Sequence, residues 1–289
     1  MTKPCFLIVN PTSGSYSRSS IDRIQARLTA SGLDPVVLPT GSPSDAALFA
    51  SRICAEQPDP LILVAGGDGT VNGVLNGLLP GAATLGVIPV GTSNVLAREL
   101  KIRSIEDALD RIAAGRTRAV TVGEAACGGE KRRFLLMAGV GVDGAVVRGV
   151  RLREKRVLGA GAYLLSALRL LRAWDRGRLQ VEGGGRSLSC HSVIVCNAAR
   201  YGGNYLLAPE VDIFSPTFQV ICITGGPLSY FGLFLLMASG RGVTGRSVTS
   251  FPASELEVSG GKAAQLDGDF FGCGPLRLRA VPALLRLIV

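Results

Sequence analysis

The sequence predicts an N-terminal α/β domain with a mainly parallel sheet, followed by a β-rich domain of antiparallel, sandwich-like character. In the first 118 residues, short apolar runs alternate with segments whose apolar side chains recur at helical spacing, which is the pattern of βαβ units. From about Val120 onward, the apolar runs are short and are separated by glycine, proline and polar turns. A chain of 289 residues is long enough for two cores. We therefore predict one domain over residues 1–118 and a second over residues 119–289.

Strands and helices alternate along the first predicted domain. The strands are expected at residues 5–9, 36–38, 61–65 and 86–90. The helices are expected at residues 21–30, 45–54, 71–79 and 104–114. Ser104, with Asp107 three residues later, is expected to cap the last of these helices, and Gly115 is expected to end it.

The second predicted domain contains strand-like runs at residues 134–138, 191–196, 218–224 and 276–281. In the last of these, Leu276 and Leu278 alternate with Arg277 and Arg279, which is typical of a half-buried strand. The cleft between two such domains is a common place for a ligand.

The most informative motif is the turn at residues 66–70, Gly-Gly-Asp-Gly-Thr, which follows an apolar strand and precedes a helix. Glycine allows the backbone to approach a ligand closely, and a helix N-terminus favours phosphate. The carboxylate of Asp68 would repel phosphate unless a divalent cation, or a hydroxyl about to be phosphorylated, lay between them. A tight turn without any ligand is the competing interpretation.

Two further strands end in small polar loops, at residues 10–14 and residues 91–94. Ligands of open α/β sheets bind beyond the carboxyl ends of the strands, so all three loops are expected to line one nucleotide site. The pattern is neither the GxxxxGK[ST] of a P-loop nor the G-x-G-x-x-G of a dinucleotide fold.

These motifs, taken in order, resemble the diacylglycerol kinase catalytic family, which includes bacterial diacylglycerol kinases, sphingosine kinases and ceramide kinases. The resemblance covers almost the whole chain from about residue 5. It rests on residues 10–14, 66–72, 86–94 with Ala97 and Arg98, and 266–269, with weaker matches at residues 138–143 and 201–203.

The resemblance implies an ATP-dependent lipid kinase, a transferase that uses Mg²⁺. The glycine turn, Thr92 and Asn94 are suitable contacts for a nucleotide and its phosphates, and the resemblance adds residues 10–14 and Thr40. The candidate nucleotide-binding residues are Asn10, Pro11, Thr12, Ser13, Gly14, Thr40, Gly66, Gly67, Asp68, Gly69, Thr70, Asn72, Gly91, Thr92 and Asn94.

Three carboxylates are the candidate catalytic residues. Asp68 is placed in the Mg²⁺ environment. Asp267 is assigned the role of the base, and Asp269 a supporting or metal-binding role, with the reverse assignment kept open. Family members usually have Asp-Gly-Glu where this chain has Asp267-Gly268-Asp269. From the residues alone, a simple Asp-Gly turn is the competing interpretation.

The chain departs from the family at residues 208–216. Family members often carry two aspartates where this chain has Phe214 and Ser215, and part of that loop holds a structural Mg²⁺. Because Mg²⁺ prefers oxygen ligands in an octahedral arrangement, we predict that this second metal site is weakened or absent.

The amino-acid composition excludes or disfavours several classes of protein and several kinds of site. The hydrophobic content of 47% excludes a disordered chain. The seven cysteines form no CxxC pair and are expected to be reduced core residues of a cytoplasmic protein. His191 is the only histidine, which disfavours a histidine-based metal site or a Ser-His-Asp triad. Since Met1 is followed almost at once by a strand, no signal peptide is expected.

The net charge of +9 is concentrated between Arg148 and Arg178, a segment that contains nine basic residues and two acidic ones. Residues 162–174 have the pattern of a basic amphipathic helix with Trp174 at its end, which suits an anionic membrane surface. A solvated basic face is the alternative. Nucleic acid is disfavoured because no recognition motif accompanies the charges. We therefore expect peripheral association with the inner face of the membrane.

The longest apolar stretch, residues 228–240, is too short to span a bilayer. It is expected to be a buried helix on a sheet, with a helix that partly faces lipid as the alternative.

Three functions are compatible with these features. The first is phosphorylation of a membrane lipid, either diacylglycerol or, as the divergent loop suggests, ceramide or a sphingoid base. The second is an enzyme related to NAD kinase or phosphofructokinase, which share the Gly-Gly-Asp-Gly-Thr turn. The third is a non-catalytic lipid-binding protein at the membrane surface, which the intact Asp68 and Asp267 disfavour. The oligomeric state is left open.

Overall fold

The computed structural model of the chain describes residues 3–79, 83–150, 165–166, 169 and 174–289. The chain divides into two compact units. Unit 1 comprises Met1–Val122, Gly202–Asn204 and Val281–Val289, and unit 2 comprises Gly123–Tyr201 and Tyr205–Ala280. The last residues therefore belong to unit 1, although the sequence pattern placed them with the second domain.

Unit 1 alternates strands and helices, as the sequence predicts. In chain order these are β1 (Lys3–Val9), α1 (Arg18–Ala30), β2 (Leu33–Pro39), α2 (Asp45–Glu56), β3 (Leu61–Gly66), α3 (Asp68–Gly77), β4 (Thr84–Pro89), α4 (Val95–Glu99) and α5 (Ile105–Ala114). The strands pair in parallel in the order β2-β1-β3-β4. The α/β class with a mainly parallel sheet is confirmed.

Local chemistry explains where these elements lie. All residues of β3 are buried, so this apolar run forms the centre of the sheet. The Ser17 hydroxyl accepts the N–H of Ser20 at the start of α1. The predicted cap of α5 is also present, since the Ser104 hydroxyl accepts the N–H of Asp107 over 3.1 Å, and Gly115 ends that helix in a left-handed conformation.

Unit 2 is built mainly from strands. Its elements are β5 (Thr117–Cys127, which begins in unit 1), β6 (Glu130–Phe134), β7 (Met137–Val140), α6 (Val142–Gly149), β8 (Leu179–Gly183), β9 (Arg186–Cys190), β10 (Ser192–Cys196), β11 (Arg200–Tyr201), β12 (Tyr205–Leu206), β13 (Phe218–Ile223), α7 (Pro227–Ala238), β14 (Val248–Ala253), β15 (Glu255–Ser259), β16 (Ala263–Leu266), β17 (Asp269–Cys273) and β18 (Leu276–Ile288, which ends in unit 1).

The strands of unit 2 form two antiparallel layers. One has the order β14-β13-β10-β7-β16-β17, and the other runs β18-β15-β8-β9, with β5 beside β18 and β6 beside β5. Side chains from both layers share one core, in which the rings of Phe134 and Phe218 stack at 5.6 Å. The predicted β-rich, sandwich-like domain is confirmed.

The apolar helix α7 differs from its expected buried state. Of its residues only Leu233 is fully buried, and Leu228, Phe231 and Leu235 are exposed. Among the described residues, no helix is long and apolar enough to cross a bilayer. The basic amphipathic helix predicted at residues 162–174 lies almost entirely outside the described residues.

Candidate functional site

The carboxyl ends of β1, β3 and β4 are level with one another in the sheet of unit 1. Val9 pairs with Ala65, and Gly66 pairs with Pro89. The N–H of Asn10 then donates to the carbonyl of Ala65 over 3.0 Å, and the N–H of Val90 donates to that of Gly66 over 3.3 Å. The sheet therefore brings together loop A (residues 10–14), loop B (residues 66–70) and loop C (residues 91–94), as the sequence predicts.

Asn10 fixes loop A against loop B. Its side-chain Nδ2 donates to the hydroxyl of Thr70 over 3.1 Å, and its Oδ1 accepts the N–H and the hydroxyl of Thr12 at 2.9 and 2.8 Å. The N–H of Ser13 donates to the carbonyl of Asn10 and closes a turn that contains Pro11. The Asn10 and Thr70 side chains thus determine the position of loop A.

Glycine lets loops A, B and C approach one another more closely than other residues would. A Cβ atom on Gly91 would lie 2.4 Å from the Cα of Gly67, and one on Gly14 would lie 2.7 Å from the hydroxyl oxygen of Thr92. A Cβ on Gly66 would lie 2.7 Å from the Thr70 hydroxyl oxygen. Gly91 therefore requires glycine for packing against backbone, independently of any ligand, whereas at Gly14 a rotation of the Thr92 side chain would relieve the contact.

The start of α3 has the features of a phosphate site. The helix follows Gly67, which provides no side-chain cap. The N–H groups of Thr70 and Val71 donate to the carbonyl of Gly67, which leaves those of Asp68 and Gly69 without an acceptor in the preceding turn. Gly69 is exposed in the first turn, and no atom lies within 4 Å of the Cβ position on it. A helix N-terminus with open space above it favours an anion because of both the free donors and the helix dipole.

Asp68 has a structural role that the sequence did not suggest. Its two carboxylate oxygens accept the backbone N–H groups of Val95 and Leu96, each over 3.0 Å, at the start of α4. The carboxylate therefore joins loop B to the helix after loop C. Each oxygen retains a second lone pair, so the geometry leaves room for one further partner such as a cation or its water shell.

Asn94 holds a left-handed conformation, with φ of +45°, directly before α4. Its Nδ2 donates to the carbonyl of Gly91 over 2.8 Å. Its Oδ1 is buried and has no hydrogen-bond partner within the part of the chain that the structure describes. A buried acceptor without a donor is uncommon in proteins, and a bound ligand that donates a hydrogen bond would satisfy it.

The remaining nucleotide candidates lie near these loops but differ in their contacts. The N–H of Thr40 donates to the carbonyl of Val9 over 2.8 Å, so Thr40 lies at the same sheet edge. Asn72 lies in α3, and its Oδ1 accepts the Nδ2 of Asn76 over 2.7 Å. Arg98, which the resemblance also includes, donates to the carbonyl of Ser93 and to Oδ1 of Asn204 at 2.8 and 2.6 Å.

The acidic turn of unit 2 connects β16 to β17. Asp267 has φ of +48°, and its carboxylate accepts three backbone N–H groups, those of Leu135, Leu136 and Met137, over 2.7 to 2.9 Å. These bonds fix the orientation of the carboxylate and stabilise its charge. Asp269 is exposed, and its side chain makes no hydrogen bond or ion pair that the structure records among the described residues.

A buried network that sequence reasoning missed supports this turn. Gln265 accepts the N–H of Gly268 through Oε1 over 2.7 Å and donates through Nε2 to Oδ2 of Asp143 over 2.6 Å. The Tyr201 hydroxyl donates to the other oxygen of Asp143. Burial raises the pKa of Asp143 above its usual range, although both hydrogen bonds oppose that shift. The sequence feature that could have indicated this network is the polar Gln265 within an otherwise apolar strand.

No group of three or more histidine, cysteine, aspartate or glutamate side chains that could hold a metal ion occurs within the described ranges. Mg²⁺ that accompanies a nucleotide typically takes one or two carboxylates together with phosphate oxygens and water, so such a group is not required. In the divergent loop, the N–H of Phe214 donates to Oδ1 of Asp212 over 3.0 Å and that of Ser215 to its carbonyl over 2.8 Å. The weakened second metal site stays a prediction.

Comparison with known families covers both units. Residues 4–125 match the diacylglycerol kinase catalytic domain. Residues 137–289 match the YegS C-terminal NAD kinase beta sandwich-like domain.

Curated relatives match along almost the whole chain. The diacylglycerol kinase of Bacillus subtilis (strain 168) is 29% identical over 281 residues, which cover 93% of this chain and 90% of the relative. The diacylglycerol kinase of Staphylococcus aureus (strain NCTC 8325 / PS 47) is 30% identical over 291 residues, with the same coverage.

Solved structures share the fold. A crystal structure of a putative diacylglycerol kinase from Bacillus anthracis str. Sterne has a TM-score of 0.79 at 23% identity and covers 99% of this chain and 96% of that one. A second structure of a diacylglycerol kinase from the same strain has a TM-score of 0.75 at 21% identity, with the same coverage.

Proposed function

Because this chain belongs to the diacylglycerol kinase family and is an ATP-dependent lipid kinase, we propose that it phosphorylates the free hydroxyl of diacylglycerol, with Mg²⁺, at a membrane surface. The choice of lipid is supported by the names of the curated relatives, which are diacylglycerol kinases. The divergent loop at Phe214 and Ser215 supports ceramide or a sphingoid base as the second candidate.

The observation that carries the proposal is the uncapped start of α3, with loops A, B and C packed around it. Its N–H groups and the exposed Gly69 would bind the phosphates of ATP. The unsatisfied Oδ1 of Asn94 would accept a hydrogen bond from the nucleotide. Bound ATP with Mg²⁺ supplies the phosphoryl group and neutralises the charge that develops on it. We assign Asp68 as the carboxylate that would hold the ion, directly or through water.

The acidic turn supplies the proton acceptor for the lipid hydroxyl. Of its two carboxylates, Asp267 is surrounded by three N–H donors, whereas Asp269 is exposed. A group that must accept a proton needs free lone pairs directed at the substrate. We therefore favour Asp269 as the acceptor and Asp267 as the residue that positions the turn, which is the reverse of the first assignment made from the sequence.

The test is a phosphoryl-transfer assay with labelled ATP and Mg²⁺. The acceptors are diacylglycerol, ceramide and sphingosine in detergent micelles, and NAD⁺. We expect label in diacylglycerol, and transfer to ceramide alone would favour the second candidate. Transfer to NAD⁺ and to no lipid would contradict the proposal, and so would the absence of transfer to any acceptor with lipid binding retained.

Variants of the acidic turn refine the assay. Asp269→Asn is expected to lower kcat by about 100-fold or more with a small effect on stability. Asp22→Asn, which changes an exposed carboxylate on α1, is the matched control and is expected to be neutral. Near-normal turnover of Asp269→Asn would return the role of base to Asp267.

A further inference from the structure

Helix α7 exposes an apolar face that the described part of unit 2 leaves uncovered. Leu228 is 88% exposed, Phe231 64% and Leu235 52%, and they recur at spacings of three and four residues along one side of the helix. Phe234, beside them, is 43% exposed. Single exposed apolar side chains are ordinary, but a contiguous group of two leucines and two phenylalanines indicates an interaction surface. We call these four residues the α7 face.

The opposite side of α7 is firmly packed. Leu233 is buried in a cluster that includes Ile194 and Ile221 of neighbouring strands, and Tyr230, Leu236 and Met237 pack against the same cluster. The Tyr230 hydroxyl also donates to the Ser192 hydroxyl over 2.7 Å. These contacts fix the rotation of the helix about its axis, so the α7 face is held outward and cannot turn into the core.

Positive charge flanks both ends of this helix. The N–H of Arg241 donates to the carbonyl of Leu236, which places Arg241 at the end of α7. The N–H of Thr224, three residues before α7, donates to the carbonyl of Ser247 over 2.9 Å. The exposed Arg246 directly precedes Ser247, so it lies close to the start of α7. The sequence contains no aspartate or glutamate from residue 213 to residue 254. An apolar face between cationic ends complements an anionic lipid surface.

An aromatic side chain with a polar end extends the α7 face. The ring of Tyr205 contacts that of Phe234 at 5.5 Å between centroids, and Tyr205 is itself partly exposed. Tyrosine is enriched where one end of a side chain meets acyl chains and the other meets water. A helix of 12 residues is about 18 Å long, so it would lie in the plane of the interface.

From these observations we propose that the α7 face inserts into the interfacial region of an anionic bilayer, with Arg241 and Arg246 on the lipid headgroups. This inference rests on the proposed function, because it explains how the kinase reaches a substrate that stays in the membrane. The residues of the α7 face are different from those of the basic segment at residues 148–178, for which the sequence predicts a membrane role.

The test is sedimentation of the full chain with vesicles of phosphatidylcholine alone or mixed with phosphatidylglycerol, without ATP. We expect binding to the mixed vesicles. Phe231→Ser with Leu235→Ser is expected to weaken that binding more than about tenfold. Arg241→Gln and Arg246→Gln are each expected to weaken it roughly fivefold and to reduce its dependence on salt. Leu48→Gln, which removes an exposed leucine of α2, is the matched control and is expected to bind normally.

Three outcomes would overturn the inference: no binding of the natural chain to the mixed vesicles, unchanged binding of the double serine variant, or a dimer of the natural chain that this variant converts to a monomer. Should the double variant fail to fold, Phe231→Trp replaces it. Its fluorescence is expected to be quenched by brominated acyl chains beyond the signal of Trp174, and the absence of quenching would refute insertion.

The assay of lipid phosphorylation separates this inference from the proposed function. The double serine variant is expected to phosphorylate a short-chain, water-soluble diacylglycerol normally and diacylglycerol in vesicles poorly. If no lipid is phosphorylated at all while the variant still loses vesicle binding, the proposed function fails and the α7 face remains a membrane-binding surface. Equal loss of activity on both substrates would contradict the inference.

Discussion

Gln265 donates a hydrogen bond of 2.6 Å from its side-chain amide to the carboxyl group of Asp143 in the interior of unit 2. The same side chain accepts the N–H of Gly268 in the acidic turn. The position of Asp267 and Asp269 therefore depends on the local turn and also on a buried polar network that includes Asp143, which lies 122 residues before Gln265 in the chain.

Replacing Gln265 tests this dependence. Gln265→Met removes both bonds and leaves the buried Asp143 with one donor fewer, so we expect a loss of stability of about 1–3 kcal/mol. Because the turn loses its anchor, kcat should fall at least roughly tenfold, while KM for ATP should change little. Urea unfolding and steady-state kinetics measure the two effects. Gln219→Met, which removes a bond to Ser250 in the same unit, is the control. A stability loss with unchanged kcat would leave Gln265 with a purely structural role.

Asp68→Asn separates charge from shape. An asparagine can accept only one of the two N–H groups of Val95 and Leu96, so we expect a modest destabilisation of about 1–2 kcal/mol. If Asp68 also contributes its charge near Mg²⁺, turnover should fall by about 100-fold or more, and higher Mg²⁺ should restore part of it. Asp107→Asn, which loses bonds to Arg103 and Arg111, is the matched control for lost hydrogen bonds. Equal turnover in the two variants would exclude a catalytic role for the charge.

Two glycines of unit 1 are expected to respond differently to the same methyl group. Gly91→Ala forces its Cβ to 2.4 Å from the Cα of Gly67, so loops B and C must separate at a cost of about 1–3 kcal/mol. Gly69→Ala meets no atom within 4 Å, so stability should change by less than about 0.5 kcal/mol. If phosphate binds above Gly69, the KM of the Gly69→Ala variant for ATP should nevertheless rise roughly tenfold. An unchanged KM would place the phosphates elsewhere.

His191 is expected to make the stability of the chain depend on pH. Burial lowers the pKa of His191 below its usual range, although the hydrogen bond of its Nε2 with the carbonyl of Asp175 opposes this shift. The unfolded chain therefore binds a proton near pH 6.5 that the folded chain does not, and stability should decrease as the pH falls below about 6.5. His191→Gln should flatten this part of the profile of unfolding free energy against pH. Parallel profiles for the two proteins would show that His191 does not cause the decrease.

The sequence was sufficient to predict which elements form and which loops meet. Alternating apolar runs give the parallel strands, and parallel strands place the loops at residues 10–14, 66–70 and 91–94 at one edge. Ser104 was identifiable as a cap because its partner, Asp107, is three residues away. Features that depend on neighbours in sequence were therefore accessible.

Contacts between distant residues could not be predicted in the same way. Asp68 accepts N–H groups from residues 27 and 28 positions later, and Asp267 from residues more than 129 positions earlier. Backbone donors carry no residue-specific signal, so nothing in the sequence identifies them. For α7, nearly every residue is apolar, and a helix without a polar side gives no indication of which face is exposed.

Arg286 and Leu287 of β18 pair in parallel with Thr84 and Leu85 of β4, and the N–H of Val289 donates to the carbonyl of Arg116. During translation, the sheet that carries the glycine-rich loops thus lacks the strand that pairs with β4 until about 200 further amino acids have been joined. Until then β4 has an open edge, which is prone to pairing with other chains. Ribosome-bound intermediates should therefore need chaperone protection, and trimming of the tail by a protease should remove nucleotide affinity even though every loop residue survives.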